Sequence, residues 1–543
     1  MMERGDLEPC PSAEIPIQPQ SRTYPEESDT SHGSQVNNHE DSQDATIPLA
    51  MQRLPPQFSS HFGEITFVVL CTMGQLLFAI CLANMFVVQL TIIEALGVSG
   101  TLSPWLIGSF LEANGVSVIV SGSLADLWNP KWLMIGSFVW LTVWNIVGVF
   151  SINPDRAVLF FVVRAMIGLA VGVLCSTAMS LLGRVYRPGL RKNRVFSAMG
   201  AMIPLGFGIG ALQGGAFSAC LHWIFGSTAL LSAACAVAAL WAIPSAQKSQ
   251  NPKQSGASFR DFDIYGSIVL VAGCGLLIFG LTQGVPSEWS PYSYATMIAG
   301  FLLLVAFYIM EKYVRRPLID GRLWTTEGFV PLMICYFIGY GAFTGAWLLY
   351  AVRFLLTEQN KQPIVAAACL TPMAVSGMVA SWVVSRTLHK IPGHYVLVGS
   401  MVAFACGPAF FLPQSAGTIY WALSFPCLLI ATFGPDMSFA AISVFITSRV
   451  PSDFQGAAGG LLIAAQSISS AVFAAVGDSI GEKVSSAEGY SLDLHALRSI
   501  WWFSLASSIV GGVVCAIFVR IPKEDEKAHM QSTGKSEAHV CYG

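Results

Sequence analysis

Three charged side chains stand where the surrounding sequence is almost entirely hydrocarbon. Glu112 lies midway along the apolar run 104–125, Arg164 sits in Leu159-Phe-Phe-Val-Val-Arg164-Ala-Met-Ile-Gly168, and Asp436 follows a Gly-Pro break in Phe433-Gly-Pro-Asp436-Met. A carboxyl at such depth can take up and release a proton, so Glu112 and Asp436 are the proton-coupling candidates. Arginine does not give up its proton in a protein and can only hold partners or bias a neighbouring acid. Plainer readings stand beside these: a permanently protonated or hydrogen-bonded Glu112, and an Arg164 that snorkels outward from a helix starting near Val158.

Two further patterns carry mechanical meaning. Gly122-Ser-Leu-Ala-Asp126-Leu-Trp-Asn-Pro-Lys131 ends one apolar run with a small residue, an acid and a cation, a set that can form a breakable contact at a helix end. Gly122, Asp126 and Lys131 are thus candidates for a conformational gate, although Asn-Pro alone also signals a turn. In the run 195–217, Gly206, Gly210 and Gly214 recur every fourth residue below Pro204, which gives one bare helix face and a site for a kink. Tyr336, Tyr340, Phe343, Trp347 and Tyr350 also fall on one helical face. That stripe suits a flat organic ligand or an interfacial aromatic belt. Asn84 and Asn114 complete the substrate-contact candidates with Tyr336, Tyr340 and Trp347; Gln75, Gln89 and Gln466 could bind substrate or join helices.

The elements that must position these groups follow from composition. Of 543 residues, 54% are hydrophobic and 11% charged, with a mean hydropathy of +0.59. A soluble domain carries about 25% charge, so most of this chain must lie in a bilayer. Runs of about 20 apolar residues, enough to cross about 30 Å of hydrocarbon, are expected near 65–88, 104–125, 133–151, 158–183, 195–217, 222–243, 264–284, 292–310, 328–350, 363–385, 395–412, 418–446, 456–480 and 499–519. The reading is an all-α polytopic membrane protein with fourteen transmembrane helices. Twenty lysines and arginines fall on one side of this alternation and five on the other, namely Arg156, Arg353, Lys361, Lys483 and Arg498. The positive-inside rule then places both termini in the cytoplasm. Residues 1–60 carry ten acids and three arginines in a Ser/Pro/Gln-rich context and read as a disordered acidic cytoplasmic tail without a signal peptide. Expected boundaries are a six-helix bundle over 61–243, a linker with two extra helices over 244–327, a second six-helix bundle over 328–520, and a tail over 521–543.

The thirteen cysteines are scattered without CxxC pairs or zinc spacing, and they read as inert buried thiols. No phosphate-binding Gly-rich loop, catalytic triad or metal cluster stands out. No cofactor, metal site or enzymatic activity is expected, and no basic block suits nucleic acid.

The motifs taken together resemble the major facilitator superfamily, over roughly residues 62–520. Gly122–Lys131 is similar to its loop 2–3 signature, G-x-L-a-D-r-x-G-r-k, with Leu127, Asn129 and Pro130 replacing Arg, Gly and Arg. Arg164 and Gly168 match its fourth-helix R-x-x-q-G, and Pro204–Gly210 is similar to the fifth-helix motif of its antiporters. Gln455-Gly-Ala-Ala-Gly459-Gly460-Leu-Leu462 and Asp263-Ile-Tyr-Gly266 resemble the fourteen-span drug:proton antiporters. Pro188–Asn193 is similar to a fungal branch that includes aminotriazole and boron efflux proteins. The resemblance implies a 6+2+6 fold working by alternating access, with Arg164 close enough to Glu112 to tune it. It implies a secondary transporter, expected to export small organic compounds such as drugs or secondary metabolites in exchange for protons. The expected partners are a small-molecule substrate, protons and the lipid bilayer, for a monomer in the plasma membrane. A carrier of borate or ammonium, and a transport-dead membrane sensor, are the alternatives.

Overall fold

The computed structural model describes residues 58, 60–98, 102–186, 190–243, 262–284, 287–314, 317–319, 321–387, 391–450, 455–485 and 492–521. The expected terminal tails and most of the stretch 244–263 lie outside the described residues. Among those described, every long element is a helix: α1 His61–Leu96, α2 Ser103–Leu127, α3 Pro130–Val149, α4 Ala157–Val185, α5 Leu190–Ala216, α6 His222–Ala242, α7 Ile264–Gly284, α8 Pro291–Glu311, α9 Phe329–Thr357, α10 Pro363–Thr387, α11 Gly393–Phe411, α12 Ser424–Ala431 continued as Phe433–Arg449, α13 Gln455–Val484 and α14 Leu494–Phe518. Thirteen of these are long and apolar enough to cross a membrane. The other is α5, whose first turns carry Arg191, Lys192 and Arg194. Helices suit this setting because each satisfies its own backbone groups where no water can.

Local sequence explains the helix ends. Asn129 accepts from the Lys131 amide with Pro130 in the first turn, so Asn-Pro opens α3 as a cap. Asp263 caps α7 by accepting from the Gly266 amide at 2.8 Å, and a Cβ on Gly266 would overlap that carboxylate, which accounts for Asp-x-x-Gly. Ser60 and Asp493 cap α1 and α14 in the same way, and Gly97 closes α1 in the left-handed conformation. The middle of α9, Ala342–Leu348, is wound as a π-helix, and α12 breaks at Thr432 just before Pro435.

Within the first six helices α2 packs on α4, α1 on α5, and α3 on α4 and α6. Within the last six, α9 packs on α13 and α14, and α11 on α12 and α14. The two sets meet along α2–α13 and α5–α10, while the pair α7–α8 touches both sets through α2 and α13. Three expectations need correction. Arg353, Lys483 and Arg498 are not loop residues: α9 runs on to Thr357 and buries Arg353, Lys483 lies in the last turn of α13, and Arg498 lies in the second turn of α14.

Candidate functional site

Arg164 lies two turns inside α4 and is only 1% exposed, which excludes outward snorkelling. Its Nε donates to the Leu106 carbonyl of α2 at 3.1 Å and its terminal nitrogen to the Cys81 carbonyl of α1 at 3.0 Å. The guanidinium stands 4.7 Å from the centre of the Phe110 ring. One side chain therefore staples three helices, using the planar fork that lysine lacks. Glycines make the approach possible, since a Cβ on Gly168 would overlap the Phe110 carbonyl and one on Gly172 the Ser117 hydroxyl.

Glu112 is not Arg164's partner. Its carboxyl faces α7, where a Cβ on Gly275 would stand 3.3 Å from Oε1. It makes no hydrogen bond or ion pair among the described residues, and Arg164's bonds go to backbone carbonyls instead. The two lie on different faces of α2, so the expected Glu112–Arg164 contact is absent from this arrangement.

The polar groups that do converge lie in the last six helices. Gln466 of α13 accepts from the Tyr336 hydroxyl at 3.3 Å and donates to the Tyr340 hydroxyl at 2.5 Å. The two phenol rings stand 5.5 Å apart. Asp436 of α12 accepts from Ser381 of α10 at 3.2 Å and lies near enough to Tyr340 to interact electrostatically. The aromatic stripe is buried throughout, which removes the lipid-facing reading. The Trp347 indole packs over Gly407 and Phe411, and its N–H has no acceptor among the described residues.

Asn114 and Ser467 join the two sets of helices. Ser467 donates to Asn114 Oδ1 at 2.8 Å, and the Asn114 amide reaches the Gly168 carbonyl at 3.5 Å. Asn84 donates to Gln213 Oε1 at 3.0 Å, and Gln213 donates onward to Ser227 and Thr228, so Asn84 belongs to an α1–α5–α6 network. A Cβ on Gly206, Gly210 or Gly214 would come within 2.5–2.6 Å of carbonyl oxygens of α1, so these glycines set the α1–α5 spacing. The opposite face of α5 meets α10, with Pro204 against Gly377 and Gly208 against Ala374.

At the helix end carrying the gate candidates, Lys131 Nζ donates to the Leu240 and Ile243 carbonyls at 3.1 and 2.6 Å, closing the C-terminus of α6. Gly122 faces open space. Asp126 falls in α2, but its side chain lies outside the described residues. Arg184 of α4 donates to the Ala125 carbonyl at 2.7 Å. Nearby, Glu64 accepts from Tyr186 at 2.9 Å and pairs with Arg191, joining α1, α4 and α5. Burial, then the Glu64 bond, pushes the Tyr186 phenol up.

Sequence reasoning weighed Gln466 but missed Gln213, Ser381, Ser467 and Glu64. Gln213 carried the signal of an amide inside a glycine-rich apolar run. The two serines carried none, because isolated hydroxyls are ordinary in apolar helices.

Among the described residues, a fourteen-helix bundle with a stapling arginine, a glycine-lined fifth helix, a polar cluster in the last six helices and a Ser467–Asn114 bond between the two sets defines a secondary transporter rather than an enzyme. The model of the Major Facilitator Superfamily matches residues 68–474, and the chain belongs to that superfamily. It is 29% identical to the low affinity ammonium transporter of Saccharomyces cerevisiae, over 77% of this chain and 81% of that one. It is 26% identical to the efflux pump terJ of Aspergillus terreus, over 87% and 91%. A D-xylose-proton symporter of known structure shares the fold, with a TM-score of 0.58 at 13% identity over 85% of this chain and 98% of that one.

Proposed function

We propose that the chain exports small organic compounds across the plasma membrane in exchange for protons, as a monomer with both termini in the cytoplasm. The observation that carries this reading is the Tyr336–Gln466–Tyr340 triad beside Asp436. Two phenols and an amide present flat apolar faces with donors and acceptors at their edges, and an acid held by a single serine stands within electrostatic range. Asp436 is then the group that exchanges substrate for a proton, with Arg164 holding the first helices rigid as the site rocks. The fungal efflux pump among its relatives supports this direction of transport. Loss of its proton would leave Asp436 a carboxylate and strengthen the site's hold on a substrate bearing a positive group.

The test is transport into proteoliposomes containing purified protein, using a panel of xenobiotics and an imposed pH gradient. Asp436→Asn should abolish gradient-driven accumulation while retaining downhill exchange. Full uphill transport by that variant would remove Asp436 from the coupling step. A second reading, carriage of ammonium, draws on the ammonium transporter relative; in the same vesicles, ammonium flux without any organic substrate would favour it.

A further inference from the structure

We propose that Glu112 is a proton-binding site outside the central polar cluster, and that its protonation state decides whether α7–α8 stays docked over the α2–α13 seam. The proposal does not depend on the substrate or on Asp436.

Trp105, Glu112, Val116 and Ile119 form one face of α2, spaced seven, four and three residues apart, and this face meets α7. Trp105 meets Phe279 with ring centres 5.5 Å apart. Val116 and Ile119 share a buried cluster with Leu270, Cys274 and Ala464. Glu112 is the one ionisable side chain in that stripe, and the absence of a Cβ at Gly275 leaves room for its carboxyl.

The same contact involves α13. Ala464 belongs to the cluster, and Ile468 packs at its edge. Ile468 is also the side chain that a Cβ on Gly115 of α2 would strike at 2.8 Å. One stretch of α13 therefore serves both α2 and α7. When α2 and α13 part, α7 must release one of them. Docking of the accessory pair is thus coupled to the relative position of the two helix sets.

The charges around Glu112 do not neutralise it. From α7 it faces Cys274, which is close enough to interact electrostatically. From α13, α2 meets Ala464, Ser467 and Ile468, none of them charged. From α4, Arg164 reaches α2 at the Leu106 carbonyl and is spent there and on Cys81. From α8, Leu304 packs on Gly273. An ionised carboxylate half-buried between apolar faces without a donor is costly, and the protonated acid costs much less. The docked state therefore holds one proton more than the undocked state, so falling pH favours docking and rising pH favours release.

Hydrogen–deuterium exchange of the full chain in nanodiscs, from about pH 5 to about pH 9 and corrected for intrinsic rates, tests this over the span of carboxyl titration. The segments 103–127 and 264–284 should lose protection together as pH rises, by at most about tenfold per pH unit for a single proton, while α3 stays unchanged. Glu112→Gln should keep both segments protected at every pH. Gly275→Ala crowds the docked acid and should move the wild-type midpoint to lower pH. A flat wild-type profile, or the same profile in Glu112→Gln, overturns the proposal. If Glu112→Gln fails to assemble, Gly275→Ala decides: an unmoved midpoint overturns the proposal.

Discussion

The Ser467 hydroxyl donates to Asn114 Oδ1 across 2.8 Å, joining α13 to α2 between the two sets of six helices. The residue beside it, Gln466, bonds Tyr336 and Tyr340. Consecutive positions on one helix thus face the first six helices and the aromatic pair. A rotation of α13 that satisfies a ligand at the tyrosines would also strain the Asn114 bond.

Ser467→Ala should favour the state in which α2 and α13 separate. One neutral hydrogen bond contributes about 1 kcal/mol, so the population ratio should shift roughly fivefold. Single-molecule fluorescence between labels on the two helix sets would read the shift. An unchanged distribution would show that the bond forms equally in both states.

Arg164→Lys should lower thermal stability strongly and Arg164→Met more so. Lysine has one nitrogen in place of the two that donate to carbonyls on separate helices, so it should hold the pair less well, and each bond to a charged donor contributes about 1.5–3 kcal/mol. Melting of detergent-solubilised protein followed by size-exclusion recovery checks this; a variant as stable as wild type would mean that the carbonyls find other donors.

Gly210→Val should cost more than Gly200→Ala. The first drives side-chain atoms into the Ile80 backbone of α1, while a Cβ at Gly200 meets nothing within 4 Å. Overpacking of this kind costs about 1–3 kcal/mol or more when backbone must move. Surface expression and recovery of folded protein separate the two variants.

Arg191→Met should loosen the ends of α1, α4 and α5 by leaving the Glu64 carboxylate with Tyr186 as its remaining partner at that site. Because Arg191 is partly exposed, the loss should be about 1–3 kcal/mol, below that of a fully enclosed pair. Glu64→Gln in the same background should recover part of it, since the orphaned charge is removed. Melting temperatures of the two variants provide the comparison.

The helices were legible in the sequence because hydrocarbon thickness imposes a minimum length on every apolar run, and each of the fourteen expected runs has its helix. The glycines of α5 were legible for a similar reason: a four-residue period has one physical use in a helix. Arg164 announced itself by its cost, but its hydrogen-bond acceptors did not, because they are main-chain carbonyls and carry no residue type. Glu112 was found as a chemical group and misplaced as a neighbour, since its nearness to Arg164 was taken from the resemblance and a sequence does not say whether a face of α2 meets α4 or α7. Ser381 and Ser467 gain their meaning only from what stands opposite them.

The backbone anchoring of Arg164 has an evolutionary consequence. Every amino acid offers the same carbonyl, so positions 81 and 106 can change side chain without disturbing the acceptors of that guanidinium. The arginine is therefore a fixed point around which sequence can drift. No correlated substitution at positions 81 and 106 would betray these two acceptors, and a descendant protein could remodel the chemistry nearby while inheriting the same three-helix frame.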